Sequence, residues 1–133
     1  MSEITPYERL GREEGIRQLV DTFYAAMDQI PDCAPIRAMH PDDLTESARR
    51  LWMFLVGRFG GPNLFVQERG HPMLRARHMP FAIGIEEAGQ WMMCMEAALQ
   101  IHVEPGPFRD ELRVFFAQVA SSMVNVAPPE EEA

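Results

Sequence analysis

The chain has 133 residues, with 12 Lys and Arg against 20 Asp and Glu for a formal charge of −8. Its 47% hydrophobic and 24% charged content is that of a single globular domain with a real core, too small for a multidomain enzyme. The negative excess disfavours non-specific binding to nucleic acid or anionic lipid, and no run of about 18 apolar residues offers a membrane-spanning helix.

In chain order, the opening MSEITPYERLGREEG lacks the basic-then-apolar pattern of a secretory leader. With two cysteines, Cys33 and Cys94, too few for a disulfide framework, this predicts a cytoplasmic setting. Ile16, Leu19, Val20, Phe23, Tyr24 and Met27 recur at the spacing of one buried helical face. Pro31 to Pro41 reads as a proline-rich loop that exposes Cys33. A second stripe, Leu44, Ala48, Leu51, Trp52, Leu55 and Phe59, follows Asp43 and Glu46 in a capping-box-like start. It stops at Gly60-Gly61-Pro62, which a helix does not cross.

The segment from Gly60 to Pro80 is rich in glycine and proline and leaves room only for a short helix near Met73–Met79. Trp91, Cys94, Met95, Ala98 and Ile101 form a third stripe, and Phe108, Leu112, Phe115, Phe116, Val119 and Met123 a fourth, with Pro107 suited to its first turn. No alternating β-branched run reads as a strand. The prediction is an all-α fold in one domain over residues 1–127, with an acidic, disordered tail at 128–133.

An irregular stretch of about 20 residues inside a small bundle points to function. It contains His78, in LRARHMPF, with Leu74, Met79 and Phe81 around it and Arg75 and Arg77 beside it. A lone imidazole among apolar residues, with guanidiniums at the rim, suits an iron macrocycle bearing carboxylates; it equally suits a packed or solvent-facing loop histidine. His71 and His78 stand seven apart, but Pro72 breaks that continuity, and no HExxH, CxxC or paired Glu-x-x-His supports zinc or di-iron. His102 reads as a cation at a helix C-terminus. Ten scattered methionines read as core filling, and Cys94 as inert core.

Taken together, LVDTFYAAM, MFLVGRFGGP, QERGHPMLRARHMPFAI and QWMMCM resemble the truncated haemoglobins of group II. The resemblance runs from about Tyr7 to Asn125, and the GHPxLRxRHxPF stretch is its most specific part. It implies a two-over-two helical sandwich around haem b (iron protoporphyrin IX), with His78 as the iron ligand. Tyr24, His40 and Trp91 are implied as distal hydrogen-bonding residues, with Ser47 and Leu51 at the distal positions of the second helix. Arg50 and Arg77 are implied as propionate partners, and Phe54, Leu55, Phe81 and Met95 as pocket walls. Two departures stand out: His40 occupies a loop position that is often tyrosine in this group, and the first glycine pair common in truncated globins reads Gly11-Arg12.

The function implied is binding of O2, NO, CO or similar small ligands at haem iron. Oxygen transport is a family role, although tight binding makes a poor carrier. NO detoxification or peroxidase-like chemistry would need a separate reductant, because the chain has no flavin or nicotinamide domain. The competing readings are a haem-free all-α interaction module and a haem-based gas sensor, as a monomer or homodimer.

Overall fold

Thr5 starts the first helix: its Oγ1 accepts the Glu8 N–H at 3.2 Å, and Pro6 fills the first turn of α1 (Pro6–Arg9). The computed structural model describes residues 4–69 and 83–125. Gly11, at φ 96°, and Arg12, at φ 62°, turn the chain into α2 (Arg12–Gln29). Both residues have positive φ, and Arg12, which is not glycine, is strained there.

A short 3-10 turn (Pro31–Cys33), α3 (Ala34–Ala38), α4 (Thr45–Arg58), α5 (Leu64–Arg69), α6 (Ile85–His102) and α7 (Pro107–Ser122) follow, and no strand occurs among the described residues. None of these helices is long and apolar enough to cross a membrane. α2 packs on both α4 and α6, and α6 packs on α7, so an α2–α4 pair lies against an α6–α7 pair. The stripe on α2 is fully in the core, with Ile16, Leu19, Val20 and Phe23 at zero exposure. Phe116 meets Phe59 at 6.0 Å and Trp91 at 6.0 Å between ring centres, tying α7 to both layers.

Polar links fix the layers. Arg113 grips Glu96 through Nε at 2.8 Å and Nη2 at 2.7 Å, joining α7 to α6, and holds that carboxyl below its ordinary range. Arg49 grips Glu68 in the same forked way, joining α4 to α5. His102 Nε2 lies 2.6 Å from Thr22 Oγ1, linking the end of α6 to α2. Asn125 closes the other end, donating to the Ile83 carbonyl at 2.8 Å while its Oδ1 accepts the Ile83 N–H at 2.9 Å. At the end of α4, a Cβ on Gly61 would lie 2.6 Å from the Tyr7 ring, so only glycine fits there.

Five sequence expectations are corrected. The Pro31–Pro41 stretch is helical over Pro31–Cys33 and Ala34–Ala38, because Pro31 and Pro35 stand in first turns, where no backbone N–H is needed. Cys33 is wholly buried, drawn in by that turn packing on α6. Ile101 is 69% exposed, since Leu99 and Val103 take the core positions at the end of α6. The start of α4 is not a full capping box: Asp43 Oδ1 accepts the Thr45 N–H at 2.9 Å, but the Glu46 carboxylate turns to Arg50 and Arg49. The glycine-rich segment also holds α5, which periodicity did not predict, while the expected helix near residues 73–79 and the tail lie outside the described residues.

Candidate functional site

Phe23 and Tyr24, neighbours on α2, meet residues from three other parts of the chain. Tyr24 stands edge-on to Phe23, with ring centres 4.9 Å apart, and Phe23 in turn meets Trp91 of α6 at 5.1 Å. His40, just beyond α3, presents its ring edge-on to Tyr24 at 5.8 Å. Tyr24 and Trp91 stand on neighbouring helices, α2 and α6, and the Phe23 ring links them. The sequence-predicted Tyr24 and His40 are in direct contact, and Trp91 joins them by way of Phe23.

Each member has a defined proton. Tyr24 Oη–H donates to the Ser47 carbonyl of α4 at 3.4 Å, longer than a strong O–H···O bond. Burial pushes its phenol well above the ordinary range near 10, so it stays a proton donor. Among the described residues the half-buried Trp91 has no protein acceptor for its indole N–H. His40 Nδ1 lies 2.8 Å from the Ile36 carbonyl; a carbonyl only accepts, so Nδ1 carries the hydrogen. In neutral His40, Nε2 is then an acceptor, and it becomes a donor only in the imidazolium.

Arg37 ties down the backbone just after His40, and sequence reasoning missed it. Its Nη1 donates to the Pro41 carbonyl at 2.8 Å and its Nη2 to the Asp42 carbonyl at 2.9 Å, while Nε pairs with Asp28 at the end of α2. An arginine in a short loop carries no signal of such a role until its partners are in space.

The remaining predicted residues divide. Ser47, Leu51 and Phe54 lie half-buried on α4, whereas Leu55 and Met95 are at most 1% exposed. Arg50 pairs with Glu46 at 3.1 Å, both about half exposed. His78, Arg77 and Phe81 lie outside the described residues. Large apolar side chains left partly uncovered beside two protonated donors fit a flat apolar macrocycle that carries a small polar ligand.

The family model for bacterial-like globins matches residues 5–125. The chain belongs to that family, among its group II truncated haemoglobins. It is 44% identical over 126 residues to the group 2 truncated hemoglobin YjbI of Bacillus subtilis, covering 95% of this chain and 92% of that one. A cold-adapted truncated hemoglobin from the Antarctic bacterium Pseudoalteromonas haloplanktis superposes with a TM-score of 0.91 at 42% identity, covering 93% of this chain and all of the other. A truncated oxygen-avid haemoglobin from Bacillus subtilis gives a TM-score of 0.81 at 45% identity, over 92% and 100% of the two chains. The α2–α4 and α6–α7 pairs are thus the layers of a 2-on-2 globin sandwich. This globin has a haem cofactor and binds gas at it; a haem-free interaction module is set aside.

Proposed function

We propose that this globin binds O2 and other diatomic gases tightly, with His78 as the protein ligand to iron and Tyr24 and Trp91 as hydrogen-bond donors to the gas. The haem supplies an iron that takes up the gas and shifts electron density onto it. Tyr24 holds a proton at Oη and Trp91 one at Nε1, both in a low-dielectric setting where such donors act strongly. His40 adds an acceptor at Nε2 when neutral and a donor when protonated. Leu51, Phe54, Leu55, Phe81 and Met95 exclude water, Ser47 leaves its side small, and Arg77 and Arg50 pair with the propionates, Arg50 by leaving Glu46.

The observation that carries this reading is the Tyr24 phenol: desolvated, kept protonated, and tied among the described residues by a 3.4 Å bond that a better acceptor can displace. The similar Bacillus subtilis protein is described as oxygen-avid, which is what two such donors produce. Absorption spectra of the ferric, ferrous and CO-bound forms test it, together with His78→Ala, which should lose stable haem. A purified variant keeping its full Soret band would refute the ligand assignment.

A second reading, turnover of NO or peroxide with an external reductant, draws support from the ring contacts Tyr24–Phe23–Trp91–Phe116 at 4.9, 5.1 and 6.0 Å. Such a series can pass an electron between donor and pocket. Nitrate formed on mixing the oxygenated protein with NO, or peroxide consumed with a dye reductant, would establish it.

A further inference from the structure

Gas binding makes no use of the two cysteines, yet their placement is specific. Cys33 ends the 3-10 turn and Cys94 lies within α6; their sulfurs are 3.4 Å apart, and neither residue is exposed. Cys94 Sγ–H donates to the Cys33 sulfur, and Cys33 Sγ–H donates to the Gln90 carbonyl at 3.4 Å. Both are free thiols. A disulfide brings its sulfurs to about 2.05 Å, so closure needs an approach of roughly 1.4 Å, within reach of small side-chain rotations on a turn and a helix already in contact.

We propose that Cys33 and Cys94 are an internal dithiol couple that hydrogen peroxide closes into a disulfide, pinning the turn that leads to His40 onto the helix that carries Trp91. The Cys33 sulfur attacks one peroxide oxygen; the O–O bond breaks, water leaves, and Cys33 becomes a sulfenic acid. Cys94 then attacks that sulfur, and the displaced hydroxyl leaves with the Cys94 proton as a second water. Two thiols and one peroxide give one disulfide and two waters, with two electrons passing from sulfur to oxygen.

Burial pushes the Cys94 thiol well above its ordinary range, which keeps the reduced pair slow to react. Closure then waits on loosening of the one-turn segment around Cys33. It also removes the hydrogen that Cys33 gives to the carbonyl of Gln90, the residue before Trp91. This link to the pocket rests on the role proposed above for Trp91; the disulfide itself does not.

The test uses the CO-bound ferrous holoprotein treated with hydrogen peroxide, then catalase, and mapped by non-reducing mass spectrometry. The expected result is loss of two hydrogens and a Cys33–Cys94 linked peptide that dithiothreitol reverses. Cys33→Ala and Cys94→Ala should lack the linked peptide, and the oxidised wild type should melt several degrees higher than the reduced. Oxygen added to the separate cysteines without the linked peptide overturns the proposal, as do free thiols that persist after long exposure near the melting temperature. CO release should change at least twofold on oxidation, and not in Cys33→Ala. An unchanged rate with the disulfide in place overturns the link to Trp91 and leaves the gas-binding reading standing.

Discussion

The Tyr24 hydroxyl reaches the Ser47 carbonyl across 3.4 Å, a stretched hydrogen bond from α2 to α4. Two consequences follow from that length. The bond adds little to folding, and its proton is free to move to a stronger acceptor in the pocket.

Tyr24→Phe should therefore leave the fold nearly as stable while speeding O2 release about tenfold, the effect of one lost charge-assisted bond of roughly 1.5–3 kcal/mol. Stopped-flow measurement of O2 dissociation checks it. An unchanged rate would remove Tyr24 from the gas-binding set.

Trp91→Phe keeps a ring between Phe23 and Phe116 and deletes only the indole N–H. Its O2 dissociation is expected to rise about tenfold as well, with little change in thermal midpoint. The double variant with Tyr24→Phe should exceed either single change; a double no faster than the singles would mean that the two donors act as one coupled unit.

Arg37→Met removes the two bonds to Pro41 and Asp42 and the pair with Asp28. A loss of about 1–2 kcal/mol in denaturant unfolding is expected. Urea unfolding of the variant beside the wild type checks it; an unchanged midpoint would show that these bonds add nothing to the fold.

Alkaline pH should weaken folding through Tyr24 and Cys94. Both are raised from ordinary values of 10.0 and 9.0, so the unfolded chain gives up these protons while the folded chain keeps them. Stability is then fully present below about pH 9 and falls as pH rises through 9 and 10. Urea unfolding between pH 8 and 10.5 measures the slope, which Tyr24→Phe and Cys94→Ala should each flatten.

Much of the fold was legible because a 3.6-residue period survives in any sequence whose helices bury one face. Ile16 through Met27 and Phe108 through Met123 mark α2 and α7 by that signal alone. The signal fails where tertiary contact decides. Cys33 stands in a proline-rich stretch that looks like an exposed loop, and becomes core only because α6 lies over it. Ile101 has the right spacing for burial, but Leu99 and Val103 already fill that end of the core. At the site, the motif resemblance singled out Tyr24, His40 and Trp91; in the structure Tyr24 meets His40 directly and is linked to Trp91 only through Phe23, a residue the resemblance did not single out. It was silent on Arg37, whose importance comes from two backbone carbonyls that no residue type announces.

The paired bonds between Ile83 and Asn125 set a limit on how short this protein can be made. A chain cut before residue 125 loses both bonds and unfastens the front of α6. The position of Trp91 along α6 is thus indexed, in part, to an asparagine past the last turn of α7.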